Sequence, residues 1–155
     1  MRASALYRVV AILGLTTIAA WSLAPAIAGE RGCLGGMKGA LVKGHFTGPI
    51  VCSSDADFAL VGKTTGATTF SIYDYRYRYM PPDGNVMHGG QRLLVFRGAE
   101  YLGQYSMSPP PYTKVAVKGS RVVLSKEGTD SATVDFSMGP PPSIYFDGDT
   151  EAFFR

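Results

Sequence analysis

Short strand-like segments separated by turn residues run through most of this chain, and they constrain its fold more than any other feature. From residue 67 onward, β-branched and aromatic residues alternate with polar ones, and glycine or proline stands at the breaks. The clearest turn is Asp147-Gly148, a dipeptide that favours a two-residue hairpin connection. This part of the chain has no long helical period. We therefore expect an all-β fold, a single small sandwich or barrel of about eight to nine antiparallel strands.

The strand boundaries follow from the turn residues on either side. The predicted strand segments are residues 68–80, 92–97, 101–107, 114–117, 121–125, 131–138, 144–146 and 150–154. Two earlier segments are less regular. Residues 40–43 are a candidate strand within a glycine-rich stretch. Residues 54–61 fit a strand or a short helix, and the spacing of Ser54 and Asp57 resembles a helix cap, which favours the helix.

The first 28 residues have the features of an export signal. Arg2 and Arg8 give a positive start, an apolar stretch follows, and positions 26–28 read Ala-Ile-Ala, the small-x-small pattern that signal peptidases cleave. We therefore predict a cleaved signal peptide at residues 1–28 and a β-rich domain at residues 29–155, located in the periplasm or outside the cell. An uncleaved membrane anchor is the alternative, since about 20 apolar residues can span a bilayer.

Cleavage after residue 28 bears on the state of the two cysteines and on the net charge of the remaining chain. Cys33 and Cys52 are the two cysteines of the chain, and in an oxidising compartment each has only the other as an intramolecular partner. We therefore predict a disulfide between them. Loss of Arg2 and Arg8 leaves 13 basic and 12 acidic residues, a net charge of +1. A near-neutral total gives no indication of nucleic-acid binding.

The most distinctive segment is the alternating stretch at residues 73–79. On a strand, its tyrosines share one face at a spacing of about 7 Å, and its charged residues share the other face. The tyrosine row is either a core face or a stacking platform for a flat ligand such as a sugar ring. The arginines are either solvated or contact phosphate or carboxylate groups. The candidate ligand-binding residues are therefore Tyr73, Tyr75, Tyr77, Tyr79, Arg76 and Arg78.

A proline-rich motif occurs twice, 31 residues apart. Residues 105–111 read Tyr-Ser-Met-Ser-Pro-Pro-Pro and residues 136–142 read Phe-Ser-Met-Gly-Pro-Pro-Pro, so five of seven positions are identical. Proline runs cannot donate ladder hydrogen bonds and favour extended geometry. The motif predicts two stiff crossings between strands in related halves of one fold.

Motifs typical of catalysis, of metal binding and of cofactor binding are missing from the sequence. It has no Gly-x-Ser-x-Gly elbow, no zinc-type histidine spacing and no glycine-rich nucleotide loop. His45 and His88 are predicted to be loop or surface residues. We therefore predict no catalytic site, no metal site and no cofactor. A glycoside hydrolase needs only two carboxylates at the right separation in space, so a small envelope hydrolase using carboxylates or His88 is the alternative.

Together these features favour an exported, non-catalytic β-rich binding or accessory protein of the cell envelope. The expected partner is an envelope polysaccharide, an anionic ligand or another envelope protein. After the hydrolase, the second alternative is an eight-stranded outer-membrane barrel, which the chain length permits. Strands of about six residues count against that barrel, because about 9–11 residues are needed to cross a bilayer.

Overall fold

The computed structural model describes residues 33–107 and 110–155, so the predicted signal peptide at residues 1–28 lies outside the described part. Nine antiparallel strands form three separate sheets, accompanied by one short helix. The elements are a 3₁₀ turn (Cys33–Gly36), α1 (Lys38–Lys43), β1 (Ala56–Lys63), β2 (Ser71–Tyr79), β3 (His88–Arg97), β4 (Glu100–Met107), β5 (Lys114–Lys118), β6 (Arg121–Ser125), β7 (Ala132–Asp135), β8 (Ser143–Phe146) and β9 (Asp149–Ala152). The predicted all-β class is confirmed. Within the described residues the sheets do not close into a barrel.

Within each sheet, every hydrogen-bonded pair consists of strands that are consecutive in the sequence. The sheets have the orders β1-β2-β3-β4, β5-β6-β7 and β8-β9. The predicted hairpin turns account for this arrangement. Asp147 and Gly148, between β8 and β9, have φ values of 58° and 85°, the left-handed geometry that a two-residue type I′ turn requires at both positions.

Two local predictions near the start of the domain are wrong. Residues 54–61 do not form a helix, because most of this segment is β1, an edge strand paired along β2. Phe58 of β1 stacks on Tyr73 of β2 with ring centroids 4.8 Å apart, and such cross-strand contacts outweigh a local cap signature. Residues 40–43 are not a strand, because they belong to α1, whose Leu41 is fully buried.

Both faces of the four-stranded sheet are covered. One face, here called the aliphatic face, carries Ile72 of β2 with Leu93 and Val95 of β3. It packs against side chains from β6 and β8, including Leu124 and Phe146, to form one core cluster. The repeated proline motif contributes to this cluster through its first residues. Tyr105 and Phe136 pack edge to face at 6.4 Å, and the Tyr105 hydroxyl donates a 2.6 Å hydrogen bond to the carbonyl of Pro141.

The other face of this sheet, here called the tyrosine face, is covered by residues 33–55, the N-terminal layer. This layer contains the 3₁₀ turn, α1 and an extended segment that returns to β1. The predicted disulfide between Cys33 and Cys52 is present, which is compatible with an oxidising compartment. Leu34 and Leu41 of the layer are buried in a second core cluster with tyrosines of the sheet. Among the described residues, no helix is long and apolar enough to span a membrane.

Candidate functional site

The four tyrosines of β2 lie on one face, as predicted, but their exposure differs along the row. Tyr75 is fully buried and Tyr77 is 5% exposed, whereas Tyr73 and Tyr79 at the two ends are partly exposed. The Tyr75 hydroxyl donates to the Pro49 carbonyl and accepts from the Val51 N–H, both at 2.9 Å. Burial raises the pKa of Tyr75, and the hydrogen bond from Val51 partly opposes this rise. The middle of the row is therefore core in this structure, and its rings are not available for stacking on a ligand.

The arginines of β2 lie on the opposite side of the strand from the tyrosines and already have partners. Arg76 contacts the Asp74 carboxylate at 2.7 Å, and its guanidinium carbon lies 5.2 Å from the centre of the Tyr112 ring. Arg78 is exposed and contacts Asp55 at 3.4 Å. An exposed pair of this kind contributes little to stability and exchanges readily with a ligand. Arg78 is therefore more accessible to a ligand than Arg76.

A buried polar network next to Arg76 has a structural role. Gln91 of β3 donates from Nε2 to Asp74 at 2.8 Å and to the Thr113 carbonyl at 2.7 Å. Its Oε1 accepts the Thr113 N–H at 2.8 Å. One buried amide thus satisfies both backbone groups of Thr113 and fixes the point where the chain enters β5. Both Nε2 hydrogens of Gln91 are used within the network, so the Gln91 side chain offers no free donor for a ligand.

The tyrosine face is partly exposed at both ends, and at one of them Tyr73 is stacked on Phe58. The far end lies away from Tyr75 and its contacts with the N-terminal layer. Tyr79 and His88 are directly paired across β2 and β3, with ring centroids 5.8 Å apart. His88 is exposed and Tyr79 is partly exposed. The two rings are inclined at 38° to each other and form an aromatic pair beside solvent, and exposed ring surface of this kind can stack on a flat ligand.

A shallow hollow of ≈150 Å³ lies beside this aromatic pair. It is lined by Tyr77, Gly90, Arg92 and Ser106, together with neighbouring parts of β3 and β4. Arg92 is half-buried, and its guanidinium carbon lies 5.8 Å from the centre of the Phe154 ring. The end of the tyrosine face therefore combines aromatic rings with one cationic side chain.

Acidic residues near the end of the chain lie in a different environment. Asp147 forms a 2.6 Å ion pair with Lys126, and both side chains are largely buried. Glu151 on β9 is partly buried, and its pKa is raised by that burial and by the neighbouring Asp149, with a smaller opposing effect from Arg92. Among the described residues, no group of three or more histidine, cysteine or acidic side chains is arranged to hold a metal ion.

Comparison with known proteins gives no family for this chain. A scan against models of protein families, a search of curated proteins and a search of solved structures each found no match.

The sequence reasoning missed Arg92 and the pairing of Tyr79 with His88. Both depend on the register between β2, β3 and β4, which places Gly90 opposite Tyr77 and Ser106 opposite Arg92. One available signal was the Gly89-Gly90 pair inside a strand, since glycine there marks a close approach of other groups. A Cβ on Gly90 would lie 2.5 Å from the Tyr77 hydroxyl oxygen.

Proposed function

We propose that this chain is an exported, non-catalytic binding or accessory protein of the cell envelope, and that it binds its ligand at the far end of the tyrosine face. Export is supported by the signal-type sequence at residues 1–28 and by the disulfide between Cys33 and Cys52. The preferred ligand is an envelope polysaccharide, because sugar rings stack on exposed aromatic side chains.

The observation that carries this proposal is the uneven cover of the tyrosine face. The N-terminal layer hydrogen-bonds to Tyr75 and buries the middle of the row. The same face continues past this cover to Tyr79 and His88, which retain exposed surface. Of the residues predicted to bind a ligand, Tyr79 is therefore retained in the proposed surface, and Tyr73, Tyr75, Tyr77 and Arg76 are assigned to the scaffold. Arg78 is exposed on the opposite side of the strand and lies outside the proposed surface.

Binding to isolated envelope polysaccharide tests this function. The expected result is that the purified protein co-sediments with the polysaccharide and that Tyr79→Ala weakens this association about tenfold, as loss of one stacked ring would do. Tyr145→Ala is a matched control, because Tyr145 is a 69% exposed tyrosine on β8, outside the proposed surface. Equal binding by the two variants would reject the proposed surface, and recovery of the protein only from the cytoplasm would reject export.

Glu151 favours a second candidate, the small envelope hydrolase. A partly buried carboxyl group with a raised pKa beside a second carboxylate, here Asp149, resembles the acid and base pair of glycoside hydrolases. The discriminating measurement is the release of reducing ends from an oligosaccharide during long incubation. A binding protein leaves the oligosaccharide intact. Release that disappears in Glu151→Gln and persists in Asp130→Asn would establish the hydrolase instead.

A further inference from the structure

Arg92 differs from the other arginines of the four-stranded sheet in lacking an anionic partner. Arg76, Arg78 and Arg97 contact carboxylates at 2.7, 3.4 and 2.8 Å. Arg92 forms no ion pair with any residue in the described part of the chain, and its buried Nε has no hydrogen-bond partner there. An unpaired cation with a buried donor is costly, so its presence calls for an explanation.

The surroundings of Arg92 provide space for a small anionic group. Gly90 and Arg92 are adjacent positions on the same face of β3, and Ser106 lies directly across from Arg92 on β4. The Tyr77 side chain packs over Gly90, so the hollow beside Arg92 is bordered by Tyr77 as well as by β3 and Ser106. The Ser106 side chain adds a hydroxyl that can donate a hydrogen bond to an anion.

The local charge favours an anion with a single negative charge. The Arg92 guanidinium makes a cation–π contact with Phe154, in which its central carbon lies 5.8 Å from the centre of the ring. Glu151 lies close enough to Arg92 for the positive charge to lower its pKa. Burial and the neighbouring Asp149 raise that pKa by more. A dianion such as phosphate would be repelled more strongly by this acidic pair than a carboxylate would.

We propose that the hollow binds the carboxylate of an acidic sugar unit, with the Arg92 guanidinium as the charged donor and Ser106 as a neutral one. This inference rests on the proposed binding function and specifies the ligand as an acidic polysaccharide. Four residues separate His88 from Arg92 along one face of β3, a distance of about 13 Å. A single chain of sugars can therefore stack on Tyr79 and His88 and place a carboxylate beside Arg92.

Two oligosaccharides of equal length provide the test, hexagalacturonate as the acidic probe and cellohexaose as the neutral one. Calorimetric titration of the purified protein should show tighter binding of the acidic probe, by about tenfold or more, as expected for a charge-assisted hydrogen bond. Added salt should reduce that advantage and leave the neutral probe unaffected. Arg92→Gln should remove the preference for the acidic probe. Arg92→Lys should retain part of it, since lysine keeps the positive charge but lacks the planar guanidinium group.

The control variant is Arg97→Gln, which removes a charge from the same strand at an exposed position away from the hollow. It should bind both probes like the unaltered protein. If both probes bind equally, or if Arg92→Gln keeps the acidic preference, the carboxylate site is rejected while the binding function stands. If neither probe binds, the carboxylate site is rejected, and co-sedimentation with envelope polysaccharide decides the binding function. The salt dependence uses the unaltered protein, so the test remains decisive even if Arg92→Gln folds poorly.

Discussion

The two faces of the four-stranded sheet are covered by different kinds of structure. The aliphatic face packs against strands β6 and β8, which belong to hydrogen-bonded sheets of their own. The tyrosine face is covered by the N-terminal layer, whose regular structure consists of a 3₁₀ turn and the six residues of α1. A helix this short is not stable without tertiary contacts.

The difference indicates how each cover is held in place. On the aliphatic face, apolar side chains of neighbouring sheets pack together, and each sheet is also stabilised by its own hydrogen bonds. On the tyrosine face, the cover is fixed by the disulfide, by two hydrogen bonds to the Tyr75 hydroxyl and by buried leucines. We therefore expect the N-terminal layer to open more easily than the rest of the fold.

The largest expected effect is a loss of stability when one buried leucine is shortened on each face of the four-stranded sheet. Leu124 and Leu41 are both fully buried, the first in β6 and the second in α1. Leu124→Ala should lower the free energy of unfolding by about 2–5 kcal/mol. Leu41→Ala should lower it less and should increase hydrogen exchange mainly within the N-terminal layer. Urea unfolding and amide exchange measure the two quantities, and equal global losses would contradict the distinction between the faces.

The second effect concerns the disulfide. Replacement of Cys33 and Cys52 by serine should destabilise the protein by about 3 kcal/mol, because the cross-link restricts the unfolded chain between residues 19 positions apart. The near-ultraviolet signal of the tyrosine face should weaken. Met107 and Phe136, in the core on the other face, should keep their native NMR shifts. Loss of all native shifts at low temperature would show that the faces are not independent.

The smallest expected effect is a change in tyrosine ionisation. Burial raises the pKa of Tyr75 on the tyrosine face and of Tyr105 on the aliphatic face. A raised pKa in the folded state gives a stabilising contribution that is present below the unfolded value near 10 and is lost as the pH rises through the folded value. Reduction of the disulfide should lower the pKa of Tyr75 towards about 10 and leave that of Tyr105 raised. Ultraviolet titration checks this, with Tyr75→Phe and Tyr105→Phe assigning the signals.

Most of the strand order was predictable from the sequence because it depends on local turns. Gly98, Gly119 and Gly148 each adopt a positive φ between two strands, and each stood at a predicted break. The N-terminal layer was not predictable in this way. Its helix depends on the burial of Leu41 against the sheet, and β1 depends on pairing with β2, so neither is visible in a short window of sequence.

The candidate site was predictable only in part. Alternation along β2 placed the tyrosines on one face, but the burial of Tyr75 depends on Pro49 and Val51, more than 20 residues earlier in the chain. Arg92 acquires its significance from neighbours on other strands and from the approach of Phe154. Those contacts are set by sheet register, which the composition of a segment does not specify.

Each sheet pairs only strands that are consecutive in the sequence, and this has a consequence for how the chain folds. Each hairpin can form from a continuous segment, and the disulfide also joins residues close in sequence. Local pairing of this kind favours rapid formation of each hairpin. A polypeptide with this layout can assemble its strands one after another in sequence order, with little time for exposed edges to aggregate.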